Sequence, residues 1–224
     1  MATIQDLLSE RYSTRAYLPK AVTEEQVREL LTLANRSASG GNMQPWNTYV
    51  LTGEAKDRLV DSILAEIANG KTQDDDGINS YPENLKSPYR ERRFECGMAL
   101  YNVLGIERDD KQRRIDQWKE NYRFFGAPVG ILFTLDKQMG APQYLDLGIY
   151  IQTLMLAAQE AGLSTCSQRS WGVWPSTCGK ALGIPNEERV ILGMALGYGD
   201  HNAQINQYRV GRAELDQVCK FQGF

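Results

Sequence analysis

The segment Arg11-Tyr-Ser13-Thr-Arg15 places two guanidinium groups and a serine hydroxyl within five residues. Arginine makes bidentate, charge-assisted hydrogen bonds to phosphate and carboxylate groups, so this spacing favours an anion-binding site. The alternative is a pair of surface arginines in weak salt bridges, which fits this segment alone at least as well. Other parts of the chain must therefore decide between the two interpretations.

A second segment, SASGGNMQPW at residues 37–46, combines adjacent glycines with two amide side chains. Glycine lets the backbone approach a ligand closely. The amides of Asn42 and Gln44 can both donate and accept hydrogen bonds, which suits a ring edge that carries both kinds of group. The alternative is an ordinary loop between a helix and a strand, with Trp46 in the core.

The third segment lies near the end of the chain, where Gly197-Tyr-Gly-Asp200 is followed by Arg209 and Arg212. These arginines lie on a loop near the end of a strand-like run, and arginine side chains hydrogen-bond well to phosphate and carboxylate groups. Taken alone, the segment is equally typical of a solvated tail. Each of the three segments is therefore weak evidence by itself.

In chain order, the motifs R-x-S-x-R, S-x-x-N-x-Q-P-W and G-Y-x-D with a later arginine resemble the nitroreductase family of flavoproteins. The segments FGAPV at 125–129 and LAAQEAGL at 156–163 also match habits of that family. The segment CSQRSW at 166–171 is similar to its nitrobenzoate-reductase-like branch. The resemblance covers essentially the full chain, and its specificity comes from the ordered combination of motifs.

The resemblance implies a homodimer that binds FMN at the subunit interface and uses NAD(P)H as co-substrate, with the flavin rather than a catalytic side chain carrying the chemistry. The cofactor-binding residues that it implies are Arg11, Tyr12, Ser13, Arg15, Ser39, Asn42, Arg123, Gln168, Arg169, Arg209 and Arg212. Of these, Arg212 and Arg209 would close on the phosphate, and Arg123 would lie near the pyrimidine edge. Backbone N–H groups of residues 167–169 would face the flavin N5 edge.

The activity that the resemblance implies is electron transfer from NAD(P)H to nitroaromatic or quinone-like acceptors by a ping-pong mechanism. We expect the acceptor to lie over the flavin between Gly40, Gln168 and the pair Phe124-Phe125, although both phenylalanines could instead be core residues. Arg169 or Arg123 would favour an acidic substituent. Alternatives are an enone reductase, a reductive dehalogenase, whose charged lid motif is not found, and a flavin-binding module without turnover.

The composition excludes several other functions. The 224 residues include 25 basic and 28 acidic side chains, with a net charge of −3, so no basic face for a nucleic acid is expected. The single histidine, His201, cannot build a multi-histidine metal site, and no metal is expected. Four well-separated cysteines, no signal peptide and no membrane-length apolar run predict a cytoplasmic protein without a membrane partner.

The elements that must position these residues follow from hydrophobic spacing and capping signals. Capping boxes at Thr3 and Thr23 predict two helices at the start of the chain. Further helices are predicted over 55–69, 90–121 (two helices), 143–161 and 176–182, and strands over 46–52, 128–135 and 189–196. A short segment follows at 163–167. The helix over 143–161 is apolar on all sides, which requires burial and suits a subunit interface.

The interleaving of these elements does not follow a regular βαβ series. It predicts a single α+β domain over 1–224, with a central mixed, mostly antiparallel sheet flanked by helices. We expect 71–89 to be a mobile loop or lid, because a long polar stretch with two prolines lacks any helical or strand pattern. Residues 202–224 are expected to form a C-terminal extension.

Overall fold

A four-stranded antiparallel sheet lies at the centre of the protein, in a computed structural model that describes residues 2–223. Its spatial order is β1-β2-β4-β3, so β2 and β4 are the central strands. The strands are β1 (Trp46–Leu51), β2 (Val129–Asp136), β3 (Ser164–Gln168) and β4 (Glu188–Gly197). The α+β class is confirmed. Every strand pair within residues 2–223 is antiparallel, whereas the prediction allowed for a mixed sheet.

The described part of the chain contains eight α-helices. They are α1 (Ile4–Glu10), α2 (Glu24–Ala34), α3 (Gly53–Ala68), α4 (Tyr89–Val103), α5 (Lys111–Lys119), α6 (Ala141–Glu160), α7 (Pro175–Leu182) and α8 (Leu215–Val218). The first two begin at the predicted capping boxes, since the hydroxyls of Thr3 and Thr23 accept from the backbone three residues later. No helix within residues 2–223 is long and apolar enough to cross a membrane.

The two faces of the sheet bury two separate cores. Alternate residues of β2 point in opposite directions, as the pleat of a strand requires. Ile131 and Phe133 pack with α2 and α6 on one face, while Leu132 packs with α3 and α7 on the other. The result is a sheet covered by helices on both sides, with its strand ends and connecting loops left to build a site.

Glycines in the two central strands make room for aromatic rings on the α3–α7 face. A Cβ atom at Gly130 would lie 2.6 Å from the ring of Phe124, and one at Gly193 would collide with Trp171. The rings of Phe124 and Trp171 stack on each other, with centroids 4.4 Å apart and planes 20° apart. This stack holds the short turn at Glu120–Gly126 against the sheet.

Helices α4 and α5 stand away from both cores, because neither contains a fully buried residue. The C-terminal tail runs along α4. The hydroxyl of Tyr208 donates to the Cys96 carbonyl oxygen at 3.0 Å, and Arg92 donates to the Gln217 side chain at 3.4 Å. These polar contacts join the end of the chain to α4.

Residues 69–88 contain no helix or strand, and α4 begins at Tyr89. The first part of this loop is tied to α7. The buried carboxylate of Asp74 accepts from the Thr177 N–H at 2.7 Å, the Thr177 hydroxyl at 2.8 Å and the Lys71 ammonium at 2.7 Å. Burial alone would raise the pKa of Asp74, but the hydrogen bonds from Lys71 and Thr177 outweigh it and lower the pKa. The mobility of the loop stays a prediction.

Candidate functional site

The opening segment is held between β3 and the tail. The Thr14 N–H donates to the Thr165 carbonyl oxygen at 3.1 Å. On its other side, the Arg15 N–H donates to the side-chain oxygen of the buried Asn206 at 2.8 Å. The Asn206 amide in turn donates to the carbonyl oxygens of Ala16 and Asp200. These contacts bring the R-x-S-x-R segment and the tail together, as the resemblance implied.

Four arginines gather where these segments meet, and we call Arg11, Arg15, Arg209 and Arg212 the arginine group. Burial and the neighbouring charge of Arg212 both lower the pKa of Arg11, which places these two guanidinium groups close together. Within residues 2–223, none of the four has a carboxylate within 4.0 Å. Arg212 donates to the carbonyl oxygens of Val210 and Gly211. Like charges without counter-charges favour a bound anion.

Arg209 reaches the opening segment through Tyr12. Its guanidinium carbon lies 3.6 Å from the centre of the Tyr12 ring, a cation–π contact. The Tyr12 hydroxyl is also 2.9 Å from Nδ1 of His201, the single histidine of the chain. Tyr12 therefore links the tail to the opening segment.

The buried thiol of Cys166 on β3 shows where the opening side chains point. Burial raises its pKa, while the charges of Arg15 and Arg11 and a hydrogen bond with Ser13 act in the opposite direction. Arg11, Ser13 and Arg15 therefore all approach the same point on β3. The Arg15 guanidinium carbon also lies 6.0 Å from the centre of the Phe125 ring.

At the end of β3, the buried side chain of Gln168 has an unused acceptor. Its amide nitrogen donates to the Asn121 carbonyl oxygen at 2.5 Å, but its oxygen has no hydrogen-bond partner within residues 2–223. The hydroxyl of the nearby Ser170 is also unpaired there. Buried polar atoms without partners are uncommon, and a ligand that donates hydrogen bonds would satisfy them.

A second group of predicted residues, Ser39, Gly40 and Asn42, lies on the turn before β1. The Ser39 hydroxyl accepts from the Gln44 N–H at 3.0 Å, and the Gly40 N–H donates to Asp146 on α6 at 3.2 Å. Asn42 is exposed and has a φ of +55°. No hydrogen bond within residues 2–223 connects this turn with the arginine group.

The structure contradicts one expected side-chain role, that of Phe124, and pairs Arg123 and Arg169 within the chain. Phe124 has no exposed surface, because its ring is buried on the sheet against Trp171, so the expectation that it stacks on an acceptor is corrected. Arg123 is paired with Glu120 at 3.0 Å, and Arg169 donates to the Ser80 carbonyl oxygen in the 69–88 loop. Neither of these two guanidinium groups joins the arginine group.

Sequence reasoning missed two residues that position the site. Asn206 fixes the tail through three hydrogen bonds, but nothing in the local sequence distinguishes it from its polar neighbours. Asp146 is buried on α6 and fixes Gly40, while its second carboxylate oxygen has no partner within residues 2–223. A lone acid in an apolar helix was a usable signal for Asp146, since such residues are seldom buried without a role.

Known proteins with similar sequences identify the family to which this chain belongs. The profile of the Nitroreductase family matches residues 8–198. A protein of Pseudomonas putida named 4-nitrobenzoate reductase is 36% identical over 218 residues, which cover 97% of this chain and 95% of that protein. The chain therefore belongs to the nitroreductase family.

Solved structures give the same result. The crystal structure of the FMN and NADPH-dependent nitroreductase NfnB from sphigopyxis sp. strain HMH has a TM-score of 0.97 and 38% sequence identity, with 100% of both chains covered. The FMN-dependent nitroreductase NfnB from Mycobacterium smegmatis, solved in complex with NADPH, has a TM-score of 0.91 and 32% identity, with 97% of both chains covered. Similarity to nitrobenzoate reductases and to NfnB confirms the branch that the segment at 166–171 indicated.

Proposed function

We propose that this protein is an FMN-dependent NAD(P)H oxidoreductase that reduces nitroaromatic and quinone-like acceptors. The observation that carries the proposal is the arginine group, which has no carboxylate within 4.0 Å in residues 2–223 and lies beside β3. The similar proteins named above, described as FMN-dependent or as nitrobenzoate reductases, support the same activity.

The residues fit FMN in both charge and hydrogen bonding. Guanidinium groups of Arg11, Arg15 and Arg212 would hold the phosphate, because arginine matches phosphate oxygens in geometry and charge. The unpaired oxygen of Gln168 would accept from a ring N–H, and backbone N–H groups of residues 167–169 would face the N5 edge. When bound, FMN supplies the redox chemistry by taking a hydride from the nicotinamide and passing electrons to the acceptor.

The protein then binds and orients the reactants and excludes water. Phe125 borders the proposed flavin site beside Arg15. The rings of Phe124, Trp171 and Tyr122 are buried and pack on one another behind Gln168, which excludes water from that side of the site. We propose that donor and acceptor use the same flavin face in turn, which gives ping-pong kinetics. No side chain is needed as an obligatory proton donor in this scheme, because water can supply the protons of the product.

A homodimer is part of the proposal. One side of α6 exposes Leu145 and Ile149, which are 72% and 46% exposed and lie one helical turn apart. Clustered apolar side chains on a surface mark interaction sites. Asp146, on the same helix, holds the Ser39–Asn42 turn at Gly40. We infer that α6 packs on a second copy, so that one subunit supplies the arginine group and its partner supplies the turn.

The assembly is tested by Leu145→Arg with Ile149→Arg, which should give a monomer near 25.3 kDa by light scattering and weaken FMN binding. Leu33→Arg is the matched control, because Leu33 is 50% exposed on α2. A wild-type protein that is a stable monomer when fully loaded with FMN would contradict the dimer.

The activity is tested by the spectrum of the purified protein after addition of FMN. We expect a yellow protein that NAD(P)H bleaches and a nitroarene reoxidises. A protein that stays colourless after FMN addition would remove the flavin proposal altogether. If the FMN-loaded protein reduces enones but neither nitroarenes nor quinones, an enone reductase replaces the proposed activity.

The phosphate contact is tested by Arg212→Ala. Loss of one charged hydrogen bond weakens binding by about 1.5–3 kcal/mol, which corresponds to roughly a 10- to 150-fold higher Kd for FMN. Fluorescence titration measures this Kd, with Arg58→Ala on α3 as the control for loss of an exposed arginine. An unchanged Kd would show that Arg212 does not hold the phosphate.

A further inference from the structure

The single histidine of the chain, His201, contacts the opening segment but has no part in the proposed flavin chemistry. It is exposed on the turn that follows β4, and its Nδ1 atom lies 2.9 Å from the hydroxyl oxygen of Tyr12. The two rings meet edge to face, with centroids 6.3 Å apart and planes 60° apart. This contact joins positions 189 residues apart in the sequence, so the tertiary fold creates it. We call these two residues the Tyr12–His201 pair.

Hydrogen bonds on both sides fix the backbone at His201. The Asp200 N–H donates to the Ala16 carbonyl oxygen at 3.0 Å, and the Gln207 amide donates to the His201 carbonyl oxygen at 2.5 Å. Both bonds use backbone atoms of the turn, so they remain when the imidazole ring is removed. His201 is therefore held beside the opening segment and gives the Tyr12 hydroxyl a fixed partner.

Tyr12 in turn lies under Arg209. The guanidinium carbon of Arg209 lies 3.6 Å from the centre of the Tyr12 ring. Its Nη1 donates to the carbonyl oxygens of Asn206 and Tyr208, whereas Nη2 and Nε have no hydrogen-bond partner within residues 2–223. A guanidinium group that uses its face on an aromatic ring keeps its edge N–H groups for another acceptor. Phosphate oxygens match such N–H groups in geometry and charge.

We propose that the Tyr12–His201 pair positions Arg209 so that its unpaired N–H groups meet the phosphate of FMN. This inference rests on the proposed function, because it describes how one arginine of the FMN site is oriented. Arg209 is exposed, and a long exposed side chain adopts many rotamers unless a neighbour restricts it. The bond to His201 fixes the direction of the phenol, and the phenol ring fixes the position of the guanidinium group.

Tyr12 and His201 are positioning residues in this scheme, since they act through Arg209. A preorganised side chain gains affinity because less conformational freedom is lost when the ligand binds. The gain applies to the phosphate alone. Riboflavin has the same ring system and ribityl chain as FMN but lacks the phosphate, so the orientation of Arg209 does not affect its binding. The ratio of the two dissociation constants therefore separates positioning of Arg209 from a general loosening of the fold.

Fluorescence titration of the full-length, FMN-free protein measures the dissociation constants for FMN and riboflavin, and their ratio is the FMN preference. We expect R209Q to lower this preference by at least about tenfold, since a charged hydrogen bond is lost. Y12L removes the aromatic ring and should have a similar effect. Y12F and H201A each remove the bond between the two side chains and should lower the preference by about two- to tenfold.

Two further variants make the test specific to the pair. H201N places a carboxamide close to the position of Nδ1 and should recover most of the FMN preference that H201A loses. The double variant Y12F/H201A should lose no more than the larger single loss, because both substitutions break the same hydrogen bond. N202A is the control, since Asn202 is exposed on the same turn and its side chain has no hydrogen-bond partner within residues 2–223.

An unchanged FMN preference in both Y12F and H201A would overturn the proposal, and so would equal losses of affinity for FMN and riboflavin. Additive losses in Y12F/H201A would also overturn it, because the two side chains would then act separately. If R209Q keeps the full preference, the pair has no phosphate contact to position, and the proposal fails while the FMN-dependent activity still stands. A wild type that binds neither flavin would instead overturn the proposed function. H201A, at an exposed position, keeps the test valid if a Tyr12 variant does not fold.

Discussion

Replacing Phe124 with alanine should destabilise the protein strongly while the Michaelis constant for a nitroarene stays nearly unchanged. The ring has no exposed surface and stacks on Trp171 with centroids 4.4 Å apart. It also fills the space above Gly130, where a Cβ atom would lie 2.6 Å from it. Removing the ring therefore leaves a cavity between the turn and the sheet that neither neighbour can fill.

The size of the effect follows from this burial. Truncation of a buried phenylalanine to alanine costs about 3–5 kcal/mol. The backbone at Phe124 has a φ of +51°, and alanine also disfavours that conformation, so the substitution relieves no strain. For a chain of this length, each kcal/mol shifts the melting temperature by about 2–4 °C. We expect a fall of roughly 6–20 °C.

Thermal unfolding measures this fall in melting temperature. The protein and FMN concentrations must be held fixed, because bound ligand also raises the melting temperature. Phe94→Ala is the matched control, because that ring is 55% exposed and its loss should change stability by about 0.5 kcal/mol or less. A Phe124→Ala variant with an unchanged melting temperature and a raised Michaelis constant would refute the reasoning. Phe124 would then line the acceptor slot after all.

Three further substitutions test individual parts of the fold. Asp74→Ala removes the acceptor of Thr177 and should cost about 2–3 kcal/mol and speed proteolysis of the 69–88 loop. The pKa of Asp74 is lowered in the folded protein, so its carboxylate adds to the free energy of unfolding above about pH 4. That contribution is lost as the pH falls through the pKa of Asp74 in the folded protein. Acid unfolding of the wild type and of Asp74→Ala would show the difference. Burial raises the pKa of Tyr122 to about 12. The neutral phenol therefore stabilises the FMN-free protein up to about pH 10, and this stabilisation is lost between about pH 10 and 12. Tyr122→Phe should make the free energy of unfolding fall less steeply over that range. Asn206→Ala leaves the Arg15 N–H unpaired and should raise the Kd for FMN together with a loss of roughly 1–3 kcal/mol in stability, whereas loss of stability alone would limit Asn206 to the fold.

Local signals were sufficient for most helices and for the three longer strands. Capping boxes at Thr3 and Thr23 act within one turn of helix, so they are readable without tertiary information. The strand β3 gave no such signal. Its sequence, Ser164-Thr-Cys-Ser-Gln168, is polar and lacks alternation, although it forms an edge strand with Cys166 in the core and four of its five residues buried.

The sequence left Phe124 open between the acceptor slot and the core, and the structure places its ring in the core. The signal that favours the core lay in Gly130 and Gly193, two glycines inside strongly predicted strands. A glycine inside a strand weakens it unless another group approaches closely. Two such glycines imply aromatic rings packed flat on the sheet, and the sequence alone does not say which rings those are.

The arginines show a second limit of prediction from sequence, which concerns the partners of long side chains. Arg11 and Arg212 lie at opposite ends of the chain yet interact in the fold, and only the motif order suggested this pairing. Arg169 follows Gln168 directly, but its guanidinium group turns to Ser80 and Tyr81 in the 69–88 loop. The direction of a long side chain depends on partners that are distant in sequence, so the residue type alone could not separate these roles.

Helix α6 is the element on which we propose that a second copy packs. Its sequence is apolar on all sides, which predicts that the whole helix is covered. Within the chain only one side is buried, by Leu147 and Leu154 among others, while Leu145 and Ile149 remain exposed. A second copy on that exposed side satisfies the pattern of the sequence. If FMN contacts both copies, then FMN and the dimer stabilise each other, and the affinity for FMN should rise with protein concentration.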